Sequence, residues 1–222
     1  MSVDVNKYRT IRSLINPSGL VVGVLGRDGA GKSTFIDEFG KSMQPYFFKT
    51  KRFHTFAGFV YKRGMFPKKI NTWNGTAPHQ EKMRDPFTSF LKINLFFIES
   101  VLGFWFRVFP LKAKANLVLF DRSFIDVLAD PVRYRINISK TYIKFLYFLT
   151  PKPDVWIIID LPSDILIGRK QDLTYEMAEK LRYEYLHLQN ILSNCIVINN
   201  ENEVHDTITR ASNFVFNYIR KC

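Results

Sequence analysis

The sequence predicts an α/β domain in which helices cover both faces of a five-stranded parallel sheet. Short apolar runs rich in β-branched residues alternate with segments of helical periodicity, the pattern of parallel strands joined by helical crossovers. The 222 residues include 46% hydrophobic side chains, enough to fill one large core. No internal repeat or low-complexity linker interrupts the chain. We therefore expect one domain over residues 19–222, preceded by an N-terminal extension helix at residues 1–18.

The predicted strands lie, in chain order, at Leu20–Leu25, 47–53, 117–120, 155–159 and 195–198. Helices are predicted at Lys32–Met43, 86–111, 175–192 and 204–218. The helix at 175–192 shows its period most clearly, because its apolar residues recur at intervals of four, four, three and four. Residues 56–80 contain several glycines and prolines with little periodicity. We expect them to form a long loop of the kind that binds ligands or closes as a lid.

The net charge indicates which classes of partner the protein could bind, and the cysteine content indicates its cellular compartment. Thirty-two Lys and Arg stand against twenty Asp and Glu, a formal charge of +12 that favours nucleotides, nucleic acid, acidic glycans or a lipid surface. Nucleic acid is not expected, because no recognised binding motif accompanies the charge. Cys195 and Cys222 cannot form a disulfide framework, and the first twenty residues lack the apolar run of a signal peptide. These features predict a cytoplasmic protein.

Residues 26–33 read Gly-Arg-Asp-Gly-Ala-Gly-Lys-Ser and match the pattern G-x-x-x-x-G-K-[ST] at every position. An apolar strand precedes this loop and a helix follows it, so its backbone N–H groups are expected to cradle phosphates at a helix N-terminus. We expect a P-loop NTPase fold in which Lys32 reaches the β- and γ-phosphates of ATP and the Ser33 hydroxyl ligates Mg²⁺. The predicted nucleotide contacts are Gly26, Arg27, Asp28, Gly29, Ala30, Gly31, Lys32, Ser33 and Thr34.

A second candidate site follows the third predicted strand, which runs directly into Asp121 and Arg122. A carboxylate at the end of a neighbouring strand can hold the metal or its water, so Asp121 is a predicted catalytic residue and metal ligand. Arg122 is predicted to bind an acceptor's phosphate or carboxylate bidentately. The structural alternative is a helix N-cap Asp beside a surface Arg.

Three further groups of charged residues each allow two interpretations. Arg169 and Lys170 precede a polar break and suit a lid that brings cations over the transferring phosphoryl group, or else a solvated charged face. Asp160 closes the fourth predicted strand, where a helix cap or turn is as good an interpretation as catalysis. Arg133 and Arg135 follow Asp130-Pro131 and suit either anion binding at an acceptor site or the surface.

The segment 26–34 resembles the phosphate loop of thymidylate kinases, with an Asp two residues after the first Gly. Asp121-Arg122 resembles their Asp-Arg acceptor motif, and residues 169–185 resemble their lid and following helix. The resemblance implies a five-stranded P-loop kinase with a lid that uses ATP and Mg²⁺. It also implies that Asp28 and Arg122 face the acceptor and that Arg169 is the lid arginine.

The sequence departs from that family in two places. The family's Arg-Glu-Pro element after the second strand is replaced by the residues 51–55, Lys-Arg-Phe-His-Thr, and Ser123 stands where Tyr or His is usual. The run from Asp121 through Asp130-Pro131 to Arg169-Lys170 resembles more closely a thymidylate-kinase-like branch encoded among bacterial surface-polysaccharide genes. His54 suits an acceptor-site polar group or, the interpretation we favour, an ordinary half-buried histidine.

Two other segments indicate which partners the protein could bind. Residues 49–84 carry nine Lys or Arg and one acidic residue with interleaved aromatics, which suits sugar faces and anionic groups or a packed loop with a basic rim. The apolar segment 86–111 is interrupted by Lys92, Glu99 and Arg107, and its longest uncharged run is seven residues against the ~20 of a spanning helix. We predict a core helix. The open alternatives are a homodimer interface and a peripheral membrane contact.

Three functions remain open on the sequence. The first is a kinase that transfers the γ-phosphoryl of ATP to a nucleoside monophosphate or similar small acceptor. The second is a kinase acting on a sugar, surface glycan or lipid-linked saccharide. The third is a nucleotide-dependent switch without catalysis, against which the Asp121-Arg122 pair and Arg169 argue, because a switch needs no acceptor arginine.

Overall fold

The computed structural model describes residues 18–54, 82–169, 174–201 and 203–221. The predicted N-terminal extension helix, the predicted loop at 56–80 and residues 170–173 of the predicted lid lie outside these ranges.

The described sheet contains five strands: β1 (Leu20–Leu25), β2 (Thr50–His54), β3 (Leu117–Asp121), β4 (Val155–Asp160) and β5 (Cys195–Asn199). Every neighbouring pair is parallel, and the spatial order is β2-β3-β1-β4-β5. All residues of β1, β3 and β4 are buried, which explains why these strands are continuous apolar runs instead of alternating ones. The predicted five-stranded parallel sheet is confirmed.

Helices cover both faces of the sheet. They are α1 (Lys32–Met43), α2 (Pro86–Gly103), α3 (Phe109–Ala113), α4 (Asp126–Ala129), α5 (Lys140–Leu149), α6 (Ser163–Arg169), α7 (Tyr175–His187) and α8 (Val204–Ile219). Short 3₁₀ turns occupy Gln44–Tyr46 and Leu188–Asn190, and a π-helical turn, Phe104–Val108, joins α2 to α3. One core cluster lies beneath α1, α6 and α8, and a second lies beneath α2, α4 and α5.

The edge strand β2 begins three residues later than the sequence predicts. Ala115, at φ 54°, turns the chain immediately before β3, so the register of the pair starts with Thr50 opposite Leu117. The register ends with His54 opposite Asp121. The strand pair therefore delivers His54 and Asp121 to the same carboxyl edge of the sheet.

The apolar segment 86–111 differs most from prediction. The continuous stretch Pro86–Ala113 is long and apolar enough to cross a membrane by length and composition, with a mean hydropathy of 1.4 over its best 18-residue window. Only 28% of that window is buried, so the prediction of a core helix is wrong for most of its surface. The buried positions of α2 are Ser89, Lys92, Ile93, Glu99 and Gly103. The side of the helix that meets the domain is mixed: Ile93, Phe96 and Phe97 pack on the core, and Ser89, Lys92 and Glu99 are buried beside them.

Candidate active site

The loop between β1 and α1 needs glycine at two positions. Gly26 has φ 142°, and a Cβ built there would lie 2.4 Å from the carbonyl oxygen of Ile159 in β4. Gly31 has φ 90°, and its Cβ would lie 2.4 Å from Nδ2 of Asn200. Both the backbone angle and the available space therefore exclude a side chain. The loop enters α1 at its N-terminus, where backbone N–H groups and the helix dipole favour an anion.

Asn200 fixes the position of this loop by hydrogen bonds. Its Nδ2 donates to the carbonyl of Ala30 at 2.9 Å, and its Oδ1 accepts from the Thr207 hydroxyl at 3.3 Å. Its own backbone N–H donates to the Asp160 carbonyl at 2.8 Å. Asn200 thus joins the loop to the ends of β4 and β5, a role that no sequence pattern indicated.

Lys32, the first residue of α1, is buried and folds back over its own loop. Its Nζ donates to the carbonyls of Gly26 and Arg27, both at 2.7 Å, and lies 3.9 Å from Oδ1 of Asp28. The ammonium group is therefore positioned at the loop by two neutral acceptors. An anionic phosphate oxygen is a stronger acceptor for the same donor.

The side chain of Arg27 turns away from the loop and ties it to the neighbouring helices. Its NH1 donates to the Ser163 hydroxyl at 2.7 Å and to the Ala178 carbonyl at 2.8 Å, and its NH2 donates to the Leu161 carbonyl. Of the predicted nucleotide contacts, Arg27 can therefore contribute through its backbone, while its guanidinium is committed to α6 and α7.

Asp160 is paired with arginines. Nε and NH2 of Arg182, in α7, donate to its two oxygens at 3.0 and 2.7 Å, and NH2 of Arg27 lies 3.9 Å away. This fork geometry fixes α7 against the end of β4. These ion pairs are a structural role other than the helix cap or turn that the sequence offered as the alternative to catalysis.

The two predicted metal ligands converge on one cation. NH2 of Arg52, in β2, lies 2.5 Å from Oδ2 of Asp121 and 3.1 Å from Oγ of Ser33. A hydroxyl and a carboxylate around one positive group form the kind of oxygen donor set that Mg²⁺ takes together with nucleotide phosphates. Within the described ranges, no group of three or more His, Cys, Asp or Glu is placed to hold a metal unaided. These residues fit a nucleotide-borne Mg²⁺.

Asp121 is held in its ionised form. Burial alone would raise the pKa of its carboxyl, but hydrogen bonds from His54 and Arg52 and the nearby charge of Lys32 outweigh burial and keep the pKa well below its usual value. Nδ1 of His54 lies 3.3 Å from Oδ2 of Asp121, and the His54 side chain is 67% exposed. The prediction of an ordinary half-buried histidine is therefore wrong.

Asp28 is the centre of a cluster of arginines. Arg122 donates through NH2 to one oxygen of Asp28, and NH1 of Arg133 pairs with the other. Arg122 is buried and has φ 84°, a left-handed conformation that is strained for a residue other than glycine. The structure therefore brings Arg122 and Arg133 together at the loop, and Arg133 is the half of the Arg133/Arg135 pair that reaches it.

Asp126 supports this turn from the interior. Its Oδ2 accepts from the backbone N–H of Ser123 at 2.7 Å, and its Oδ1 accepts from the Tyr185 hydroxyl at 3.2 Å. Burial raises the pKa of this carboxyl, and the charge of Arg122 opposes that effect. Asp126 was not among the predicted site residues. The signal that could have found it is an Asp three residues after Ser123 at the start of a short helix.

The predicted lid arginine cannot be placed relative to this site. Arg169 is the last residue of α6, and its side chain lies outside the described part of the chain, as do residues 170–173. Its role stays a prediction.

These features are those of a P-loop kinase fold. The sheet is parallel with β1 and β3 adjacent, a glycine loop leads from β1 into α1, and an Asp-Arg pair follows β3. The chain is similar to thymidylate kinase from Candida albicans, with 15% identity and a TM-score of 0.63 over 91% of this chain and 93% of that one. It is also similar to thymidylate kinase from Ehrlichia chaffeensis, with 16% identity and a TM-score of 0.62 over 90% of this chain and 100% of that one.

These similarities confirm the predicted thymidylate-kinase-like fold over most of the chain. No protein-family model matches the chain, and no curated protein does either. At this level of identity the likeness establishes the fold alone.

Proposed function

We propose that the protein is an ATP- and Mg²⁺-dependent phosphotransferase that moves the γ-phosphoryl group to a nucleoside monophosphate or a similar small anionic acceptor. An acceptor oxygen forms a bond to the γ-phosphorus, the bond from that phosphorus to the β–γ bridging oxygen breaks, and ADP leaves. When the acceptor atom is a phosphate oxyanion, no proton has to be removed.

The observation that carries this proposal is the position of Asp28. One carboxylate lies 3.9 Å from the ammonium of Lys32 and at the same time contacts the guanidinium groups of Arg122 and Arg133. Lys32 and Arg122 approach the same oxygen, Oδ1, and Arg133 approaches Oδ2, so the donor-side cation and the acceptor-side cations surround a single side chain. Two anionic substrates bound by these cations would be adjacent, which is the arrangement that positioning catalysis requires.

The position of Arg122 beside the phosphate loop argues against a switch without catalysis. A nucleotide switch needs a phosphate loop, but it gains nothing from a buried, strained arginine beside that loop. Arg122 is held in its conformation by a network that includes the fully buried Asp126. Strain maintained in this way is typical of residues that contact a ligand.

Ser33 and Asp121 would hold Mg²⁺, and the ion would supply neutralisation of the phosphate charge. Arg52 contacts both groups and would have to withdraw from them when the metal is bound. NH1 of Arg52 also contacts Asp37 at 2.9 Å, which gives the guanidinium an exposed partner to retain. We place this reaction in the cytoplasm, where ATP is supplied.

A sugar, surface glycan or lipid-linked saccharide is the second candidate acceptor. The supporting observation is the end of β2, where Arg52 and His54 both contact Asp121 and the strand carries no Arg-Glu-Pro element. The aromatic and basic residues that would bind such an acceptor, including Trp73 and Lys68, lie outside the described ranges.

The test is an acceptor screen with purified protein, Mg-ATP and labelled γ-phosphate. The panel contains nucleoside monophosphates, sugar phosphates and the host's surface-glycan extract, with ADP release measured in parallel. Transfer to a monophosphate at an ordinary kcat of ~1–10³ s⁻¹ supports the first candidate. Label in the glycan alone supports the second. ATP binding without transfer to any acceptor in the panel would overturn both in favour of a switch.

A further inference from the structure

The guanidinium group of Arg27 is buried, although most arginines lie at the surface of a protein. Only 4% of the residue is exposed, and the carboxylate of Asp160, at 3.9 Å, is too distant for a hydrogen bond. Burial lowers the pKa of this guanidinium, and the charge of Asp160 opposes the effect. A charge buried against neutral oxygens is costly for a fold to keep. Such a charge indicates a role that an apolar side chain of the same size could not perform.

The oxygens that accept from Arg27 belong to the core of the domain. NH1 donates to the Ser163 hydroxyl at 2.7 Å and to the Ala178 carbonyl at 2.8 Å, and NH2 donates to the Leu161 carbonyl. Each of these three residues is at most 1% exposed. They lie directly after β4, at the first position of α6 and at the fourth position of α7. Because packed interiors move little, the guanidinium is anchored at three fixed points.

The backbone of the same residue holds Lys32. The carbonyl of Arg27 accepts from Nζ of Lys32 at 2.7 Å, as does the carbonyl of Gly26. An ammonium group has three N–H donors, so two bonds to fixed carbonyls determine the direction of the third. The Arg27 carbonyl also accepts from the Ala30 N–H at 3.3 Å. Since the guanidinium and this carbonyl belong to one residue, the anchor on the first limits the movement of the second.

We infer that the Arg27 side chain is a positioning residue for Lys32. It fixes the Arg27 carbonyl to the core, and that carbonyl directs the Lys32 ammonium group at the phosphates of a bound nucleotide. The guanidinium faces α6 and α7, so it acts through Lys32 and not through a substrate contact of its own. The effect on turnover rests on the proposed phosphoryl transfer, whereas the effect on the orientation of Lys32 does not depend on it.

The first test measures the turnover of Arg27→Met, which fills a similar space but cannot donate hydrogen bonds. We expect kcat to fall about 10- to 100-fold, since a misplacement of about 1 Å can cost about 10²-fold. The KM for ATP should change little, because the backbone N–H groups of the loop remain. Tm should also fall, because the Leu161 carbonyl and the Ser163 hydroxyl each lose a donor. An unchanged kcat would overturn the inference.

The matched control is Arg182→Met. Arg182 is a second arginine at the junction of β4 and α7, and its guanidinium pairs with Asp160 and Glu179. This control should lower Tm and leave kcat unchanged. A loss of kcat equal to that of Arg27→Met would overturn the inference, because loosening of α7 would then be a sufficient explanation.

The second test places Arg27→Met in the Lys32→Ala background. If Arg27 acts through Lys32, the substitution should there lower kcat by less than about threefold, because the effects of residues that act as a unit are not additive. The same fold loss in both backgrounds would show that Arg27 acts independently of Lys32, and the inference would be wrong.

A third measurement separates failure of this inference from failure of the proposed function. The NMR signal of the Lys32 ammonium group is recorded without nucleotide or acceptor and is assigned by its absence from Lys32→Ala. A buried, hydrogen-bonded ammonium exchanges its protons slowly. The signal should therefore be sharp in the unmodified protein and in Arg182→Met, and broadened or lost in Arg27→Met.

The outcomes of this measurement are distinct. An unchanged signal in Arg27→Met would overturn the inference whether or not the protein transfers phosphate. A lost signal in a protein that turns over no acceptor would support the positioning of Lys32 and overturn only the proposed function. If circular dichroism shows that Arg27→Met does not fold, Arg27→Lys takes its place in the same three measurements, because it keeps the charge but not the planar fork of donors.

Discussion

The two sides of Asp28 are built in different ways. The proposed nucleotide side is determined by the backbone. Gly26 and Gly31 adopt positive φ angles that are strained for other residues, and Asn200 and the Arg27 side chain fix the loop to its surroundings. The proposed acceptor side is determined by side chains that come from distant parts of the sequence, namely Asp28, Arg122 and Arg133. A backbone site requires a short conserved spacing and can be recognised from it. A side-chain site can change its ligand by single substitutions while the fold and the loop persist.

The largest expected effect is on the nucleotide side. Lys32→Ala should lower kcat by about 10³-fold, because it removes the ammonium group that the carbonyls of the loop position for the proposed phosphates. Turnover is measured with saturating ATP in the acceptor assay. Lys41→Ala, which removes an exposed lysine of the same helix that pairs with Glu38, is the control and should leave kcat unchanged. A Lys32→Ala enzyme within tenfold of the unmodified protein would contradict the assignment.

The second expected effect concerns Asp121, the predicted metal ligand at the end of β3. Asp121→Asn should lower kcat by about 10²-fold with little change in ATP affinity, because it removes a charge at the metal position while keeping the shape. Asp160→Asn is the matched control, since Asp160 also ends a buried strand but pairs with Arg27 and Arg182. That control should lower Tm and leave kcat close to normal. Equal losses of ATP binding and turnover in Asp121→Asn would make Asp121 a structural residue.

The sequence predicted the sheet and the loop well because both depend on local signals. The runs that form β1, β3 and β4 are buried on both faces, so their apolar character is continuous and unambiguous. β2 was predicted less accurately because it is an edge strand with exposed Lys51 and Arg52, so its apolar signal is weak. The segment 86–111 was predicted as a core helix because its composition is apolar, but its apolar residues are divided between the core and the exposed surface. Composition does not report which side faces the core.

The acceptor side could be predicted only in part. Arg122 follows directly from the Asp-Arg pair, but the contact of Arg133 with Asp28 joins residues more than a hundred positions apart and depends on the strained turn at Arg122. The contacts of Arg52 and His54 with Asp121 depend in the same way on the register of β2 against β3. Such contacts follow from tertiary structure, and no local spacing encodes them.

The third expected effect separates the two sides directly. Arg133→Gln should raise the KM for the acceptor about tenfold and leave the KM for ATP unchanged, because one charge-assisted contact of about 1.5 kcal/mol is lost on the acceptor side alone. Arg135→Gln is the control, since Nε of Arg135 donates to the carbonyl of Lys82 and not to the loop. A parallel rise in both KM values would show that Arg133 supports the loop instead of the acceptor.

The smallest expected effect concerns Arg52, which bridges the two predicted metal ligands. Its guanidinium contacts Ser33 and Asp121, so it competes with any cation for the same oxygens. Arg52→Gln should therefore lower the Mg²⁺ concentration for half-maximal activity by about two- to fivefold, the size expected when a partly exposed ion pair is removed.

Asp37→Asn provides an informative intermediate for the same measurement. It removes the other partner of Arg52, at 2.9 Å, while leaving the guanidinium in place. If Arg52 only competes with the metal, then Arg52 should pair more strongly with Asp121 once Asp37 is neutral. The Mg²⁺ concentration for half-maximal activity should therefore rise slightly. If Arg52 instead contacts a phosphate during transfer, Arg52→Gln should lower kcat without changing the Mg²⁺ requirement. A titration of activity against Mg²⁺ for the three proteins distinguishes the two roles, because competition changes the half-saturating concentration while phosphate contact changes the plateau.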